Sequence, residues 1–224
     1  MCGRIGFSIP RDELLASYAW VRHVPDQEPR YNIAPTDPVL TVGPDRADVV
    51  RWGIEGHSGG LFNLRAETAS TRPYYQRLLL QKRVIVPASH FYEWRVVGGR
   101  RLPMAVSRVD GRPLNLAGLL GAWQDQAAVT ILTTTPNADL DSLHDRMPAV
   151  LDDDDAATWV LEELSIEQAA AFLKPCAVGF LRLAAASPLV NSVGNEGPQL
   201  LDPQNLPSEY QLELIPTPSR PSER

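Results

Sequence analysis

Five extended segments crowd into the stretch from Arg83 to Thr134, and that density limits the fold more than any other feature of the chain. They read as Arg83–Pro87, Phe91–Val97, Arg101–Ser107, Leu114–Trp123 and Val129–Thr134. Val96-Val97-Gly98-Gly99-Arg100-Arg101 reads as a hairpin turn and Asp110-Gly111-Arg112-Pro113 as another, because glycine reaches the positive φ that tight turns use. Further strands are predicted at Pro38–Val42, Asp48–Trp52 and Gly179–Leu183. Helical periodicity is confined to a short segment starting near Pro10, with Leu14, Leu15 and Tyr18 on one face, and to Pro73–Gln81, Asp154–Leu164 and Ile166–Lys174. Many strands with turn signals and few helices predict an α+β, strand-dominated fold. Its sheet is expected to be curved or barrel-like and mixed, with a few short flanking helices.

The 224 residues are enough for one domain with a real core, expected over 1–201, and too few for a second full one. From Asp202 onward the chain is rich in Pro, Ser and Glu and is expected to be a disordered tail. No apolar run approaches the roughly 18 residues that span a bilayer, and the start of the chain has no extended apolar core of a signal peptide. Two cysteines, Cys2 and Cys176, cannot build a disulfide framework, which fits a reducing cytoplasm. Cys176, after Pro175, reads as a buried small hydrophobe. A monomer without membrane contact is expected. Net charge is −6, but residues 1–150 hold 17 basic against 15 acidic side chains and residues 151–224 hold 4 against 12. Local basic surface governs phosphate contact more than the total does, so charge neither supports nor excludes DNA.

Loss of Met1 would make Cys2 the N-terminal residue, with an α-amine of pKa about 7.7–8.0 beside a thiol of about 8.5. Such a pair condenses with an aldehyde to a Schiff base, and the thiol then closes a thiazolidine ring on the same carbon. A plain second-position cysteine with Met1 retained is the alternative. Glu93 lies between Tyr92 and Trp94 in an extended segment, so alternation puts it on the face opposite both rings. Facing inward it would be a general acid–base with a raised pKa; facing outward it is an ordinary surface carboxylate. His144 sits in the dense run Leu143-His144-Asp145-Arg146-Met147-Pro148, a proton carrier or a capping histidine. Arg65, Arg72, Arg77, Lys82 and Arg83 surround Tyr74 and Tyr75, as single-stranded nucleic acid would require. The same stretch also reads as a surface amphipathic helix with Leu78, Leu79 and Leu80 inward. No metal-ligand pairing, nucleophile elbow or phosphate loop occurs, and no cofactor is expected.

Taken in order, these elements resemble the SOS-response-associated peptidase (SRAP) family of abasic-site processing proteins. The matching elements are Met-Cys-Gly-Arg at 1–4, Tyr-Asn-Ile-Ala-Pro-Thr at 31–36, Asn-Leu-Arg-Ala-Glu-Thr at 63–68, Phe-Tyr-Glu-Trp at 91–94, His-Asp-Arg-Met-Pro at 144–148 and Val-Gly-Asn at 193–195. The resemblance implies loss of Met1, binding of single-stranded DNA at an abasic site, and a covalent thiazolidine between Cys2 and the ring-opened sugar. It further implies that Asn63 holds the Cys2 amine and the linkage, that Glu93 shuttles protons, and that His144 assists ring opening and reversal. Arg4 and Arg65 would grip phosphates, and Trp52, Arg72 and Arg77 complete the expected DNA-contacting set. Family members often continue past the Trp-Gly step with a Pro- and Trp-bearing loop that wedges between bases. Here Trp52-Gly53 leads to Ile54-Glu55-Gly56-His57-Ser58-Gly59-Gly60 with no second aromatic before Phe62, so DNA affinity or junction preference is expected to be weaker or different. Two other classes stay open: a cysteine or N-terminal-nucleophile peptidase acting on other proteins, and a non-catalytic reader of modified single-stranded DNA.

Overall fold

A computed structural model of the chain describes residues 2–57 and 59–203. The expectation of Met1 removal concerns residue 1, and all but the first two residues of the tail expected from Asp202 onward are residues 204–224; residue 1 and residues 204–224 lie outside the described residues. The chain opens with β1 (Ile5–Phe7), α1 (Arg11–Ser17), β2 (Arg30–Ile33), β3 (Pro38–Val42) and β4 (Ala47–Trp52). A small hairpin of β5 (Ile54–Gly56) and β6 (Gly59–Leu61) precedes β7 (Asn63–Arg65), α2 (Ala66–Ala69) and α3 (Pro73–Gln81). Long strands follow: β8 (Arg83–Ala88), β9 (His90–Val97), β10 (Arg100–Arg108), β11 (Leu114–Trp123) and β12 (Gln126–Thr134). Later come β13 (Met147–Pro148), β14 (Val150–Leu151), α4 (Asp153–Leu161), α5 (Ile166–Phe172) and β15 (Leu181–Ala185), followed by two short 3-10 helices, Pro188–Asn191 and Pro198–Leu201.

These strands form a closed barrel with an open sheet beside it. β4, β3, β8, β11 and β12 pair antiparallel in turn, and a parallel pairing of β12 with β4 (Ala128 opposite Arg51) closes the ring. Closure removes sheet edges, and the buried residues Ile85, Leu116, Leu119, Val129 and Ile131 join the main hydrophobic cluster. The open sheet runs β15-β10-β9-β1-β2, all antiparallel. The curved, barrel-like mixed sheet expected from the segment pattern is therefore the observed architecture.

Among the passages of the chain between barrel and open sheet, two link consecutive long strands directly. One is Ser89, between β8 and β9, whose N–H donates to Gly6 O at 2.9 Å. The other is the Asp110–Pro113 turn, and here the hairpin expectation fails. β10 and β11 do not pair with each other; the turn carries the chain from sheet to barrel. Arg108 holds it, bonding Asp110, the Pro113 carbonyl and Asp153 on α4. The Gly98-Gly99 hairpin is real, with φ of 54° and 78°. A second tight hairpin at Gln124-Asp125 (φ 49° and 64°) joins β11 to β12 without glycine.

Helix limits follow local chemistry. α3 takes Pro73 into its first turn, where no N–H is needed. Leu78 and Leu79 are buried but Leu80 is exposed, since three consecutive helical residues cannot share one inward stripe. α4 starts one residue earlier than expected, because Asp152 accepts from the Asp155 N–H at 2.8 Å. α5 starts on a capping box of Ser165 and Gln168. β15 lies two residues further along than predicted, because Gly179 (φ 82°) is in a turn tied to Asp139. Among the described residues, no helix is long and apolar enough to cross a membrane.

Candidate functional site

Residues 2–4 reach the site by following β1 along β9. Ile5 stands opposite Phe91, and the Tyr92 N–H donates to Arg4 O at 2.9 Å. Cys2 is fully buried there, its sulfur unbridged. Asn63, the first residue of β7, donates from Nδ2 to the Cys2 carbonyl at 2.8 Å. Asn63 is placed by a parallel pairing with β12, opposite Ile131. Its Oδ1 is buried and accepts no hydrogen bond among the described residues, so an acceptor beside Cys2 is unused. Burial pushes the Cys2 thiol well above its ordinary range, and the neighbouring Glu93 charge pushes the same way.

Glu93 takes the inward reading of the two the sequence allowed: it is 3% exposed. Its neighbours on the strand pack on the other side of the sheet, where Tyr92 and Trp94 meet Ala105, Ala186, Val190 and Leu201. Burial raises the Glu93 carboxyl, while the nearby charges of His144 and Arg101 pull it back down. His144 ends a turn that begins at Asn137, with its N–H on Leu140 O at 3.1 Å. Its Nδ1 is 3.0 Å from the Arg146 N–H and 2.7 Å from Asp145 Oδ1. The amide needs an acceptor there and the carboxylate needs a donor, so the imidazole can meet one partner in each protonation state. Cys2, Asn63, Glu93 and His144 thus come together: Cys2 and Asn63 by a hydrogen bond, Cys2 with Glu93 and Glu93 with His144 through their charges.

One fastening was not read from the sequence. Arg146 donates to both Glu67 oxygens at 2.9 and 3.0 Å and to Thr133 O at 2.5 Å, tying the His144 loop to α2 and β12. That pairing holds the Glu67 carboxyl below its usual range. The signal was present, because Glu67 and Arg146 each sit within a motif that also carries an expected site residue, but nothing local paired them.

The expected DNA-contacting residues divide. Arg65, Arg72 and Arg77 are exposed along β7 and α3, near the half-exposed Tyr74. Trp52 must be corrected. It is fully buried, and its indole N–H donates to Phe62 O at 2.9 Å, so it presents no ring face to a base. Arg83 is corrected too: it is buried and caps four carbonyls, those of Leu79, Leu80, Trp159 and Glu162. Arg4 is half internal, donating to Asn32 Oδ1 at 2.6 Å and Val190 O at 2.8 Å. It nonetheless lines a groove of about 510 Å³ with Trp94, Arg100, Arg101 and Asn191. The guanidinium groups of Arg4 and Arg101 lie 5.9 and 5.6 Å from the Trp94 ring centroid. Arg100 and Arg101 were read only as hairpin residues. Their place in the groove follows from β9–β10 pairing, which sets Pro103 opposite Trp94 and Arg101 two residues along on the same face.

Comparison with protein families matches residues 1–193 to the family described as SRAP, SOS response associated peptidase. The chain is 30% identical over 222 residues to abasic site processing protein YoqW of Bacillus subtilis (strain 168), covering 90% of this chain and 99% of that protein. It is also 30% identical over 221 residues to abasic site processing protein YedK of Escherichia coli (strain K12), covering 91% and 100%. Among solved structures, the X-ray structure of a Bacteroides thetaiotaomicron protein superposes with a TM-score of 0.78 at 21% identity, covering 90% of this chain and 99% of that one, which carries the fold.

Proposed function

The chain belongs to the SOS response associated peptidase (SRAP) family, and from that premise we propose that it processes abasic sites in single-stranded DNA by covalent capture on Cys2. Removal of Met1, by the protein's own peptidase activity or by another enzyme, frees the Cys2 amine. The amine attacks the aldehyde of the ring-opened sugar, and Glu93 in its acid form protonates the carbinolamine hydroxyl, which leaves as water. The thiol then adds to the iminium carbon and its proton returns to Glu93, so the step consumes one aldehyde and one aminothiol and yields one thiazolidine and one water. His144 moves the proton that opens the sugar ring, and in reverse assists release. Asn63 holds the Cys2 backbone still while both bonds form. Arg65, Arg72, Arg77 and the Arg4–Arg101 groove supply phosphate contacts.

The observation that carries this reading is the seat of Cys2: its carbonyl is fixed by Asn63, and its thiol lies near enough to buried Glu93, and Glu93 to His144, for their charges to act on one another. The high thiol pKa suits the order of events, because a neutral sulfur waits until the iminium forms. Intact mass of the purified protein, before and after incubation with an abasic single-stranded oligonucleotide, tests it. The expected result is a chain lacking Met1 that gains the oligonucleotide less one water. A chain that keeps Met1 and still forms the adduct would overturn it.

A further inference from the structure

Resting on the capture reading above, we infer that the niche formed by residues 188–195 seats a nucleobase that flanks the abasic site. The niche has a volume of about 530 Å³ and is lined by Pro188, Leu189, Asn191, Ser192 and Asn195. It adjoins the Arg4–Trp94–Arg101 groove through Asn191, which lines both. The two hollows differ in chemistry. The groove offers guanidinium groups, and two of them already lie within 6 Å of the Trp94 ring. That ring serves as a platform for cations that hold a backbone phosphate. Among the described residues, no cation lines the niche. Leu189, 44% exposed, and Pro188 give it an apolar floor, and amide and hydroxyl groups form its rim. A strand entering the groove by its phosphates carries its base to one side, and the niche is the adjacent surface suited to a flat apolar face with polar edges.

The niche is also built in advance. Buried Asn32 donates to the Val190, Ser192 and Asn195 carbonyls, Asn195 donates to Leu189 O at 2.8 Å, and Ser187 Oγ accepts the Leu189 N–H. A seat held by that many bonds orders no loop on binding, which removes a cost from the complex. Asn191 spends its Oδ1 on the Trp94 indole N–H at 2.8 Å, and its amide hydrogens make no bond among the described residues. They are free to read a base edge.

The test uses the full chain and single-stranded oligonucleotides carrying an unreactive tetrahydrofuran analogue of the abasic site, with flanking bases removed one position at a time. For the wild-type chain, loss of one particular flanking base should weaken binding about fivefold, at the low end of base-stacking effects because the floor is aliphatic. Leu189→Ala should weaken binding of the complete oligonucleotide by the same factor and show no further loss when that base is absent. Leu189→Met should retain wild-type binding, which separates the seat from any folding defect. Multiplicative losses, or indifference to every flanking base, would overturn the niche as a base seat while the adduct on a reactive abasic oligonucleotide stays intact. Failure of that adduct would overturn the capture reading, and the niche with it.

Discussion

The two faces of strand β9 set opposite conditions for chemistry. On one face Glu93 is buried beside Cys2 and His144, in surroundings that disfavour full charge. On the other, Trp94 stands with Arg4 and Arg101 around a groove open to solvent. One residue separates them. A proton-transfer centre gains from exclusion of water, whereas a phosphate-binding surface needs cations that can release counterions. The strand satisfies both by alternation, and a slip of one residue in its register would exchange the two. Bond formation should therefore answer to pH and to the buried face, and affinity should answer to salt and to the exposed face.

The sharpest break between the faces is Cys2→Ala. It should abolish the covalent adduct entirely, seen on a denaturing gel, while salt-sensitive binding to the same oligonucleotide persists. An adduct that survives would place the nucleophile elsewhere. Glu93→Gln comes next. With its proton shuttle gone, adduct formation should slow by about a hundredfold while affinity stays the same. Its stability has a definite sign. The folded state raises the Glu93 pKa, so the stabilising form is the protonated one, present below the ordinary carboxylate range and lost as pH rises through the folded value. Thermal unfolding of Glu93→Gln should match wild type near pH 4 and exceed it near pH 8. Equal melting temperatures at both values would show that the carboxyl is not penalised by burial.

Arg101→Ala probes the other face and should have a smaller effect. Losing one phosphate contact should weaken single-strand binding about tenfold and make the plot of log affinity against log salt shallower by about 0.7. The adduct rate at saturating DNA should change less than threefold. A collapse of that maximal rate with affinity unchanged would move Arg101 to the reactive side.

What could be read from the chain before its structure follows the range of the forces involved. β3, β11 and α3 show in the sequence at their observed limits, because β-branched runs, glycine turns and a first-turn proline act locally. β1, β7, β13 and β14 span only two or three residues and exist because longer strands pair with them, so no periodicity announces them. Arg83 reads as a surface cation until the end of α3 and the end of α4 enclose it with carbonyls, a meeting of residues 76 and 79 positions apart. Trp52, expected among the DNA contacts through the resemblance, is likewise enclosed by the main hydrophobic cluster, a packing no local pattern announces. At the site, residue chemistry alone left Glu93 and His144 with two readings each, and only the ordered motifs favoured one for each. The groove stayed hidden because Arg101 and Trp94 become neighbours only through the Gly98-Gly99 hairpin.

The faces can also be separated by acid, through a residue that touches neither reaction nor DNA. His90 is buried, with Nε2 at 3.0 Å from Tyr92 Oη and Nδ1 at 3.1 Å from Ser89 Oγ, and Tyr92 Oη donates onward to Tyr31 O. The fit is close: a Cβ at Gly6 would lie 2.0 Å from the imidazole. Burial lowers the His90 pKa from 6.5 to about 4. A depressed pKa means the fold favours the neutral ring. That stabilisation is therefore complete above about pH 6.5 and is lost as pH falls toward 4, on the order of 3 kcal/mol in all. Wild type should lose several degrees of melting temperature across that interval, and His90→Gln should lose markedly less, with unchanged adduct yield at pH 7. An equal acid-induced fall in both proteins would assign the loss to other groups. A change in adduct yield at pH 7 would mean that the hydrogen-bonded chain behind Tyr92 reaches the reactive face, and that the two sides of β9 are coupled.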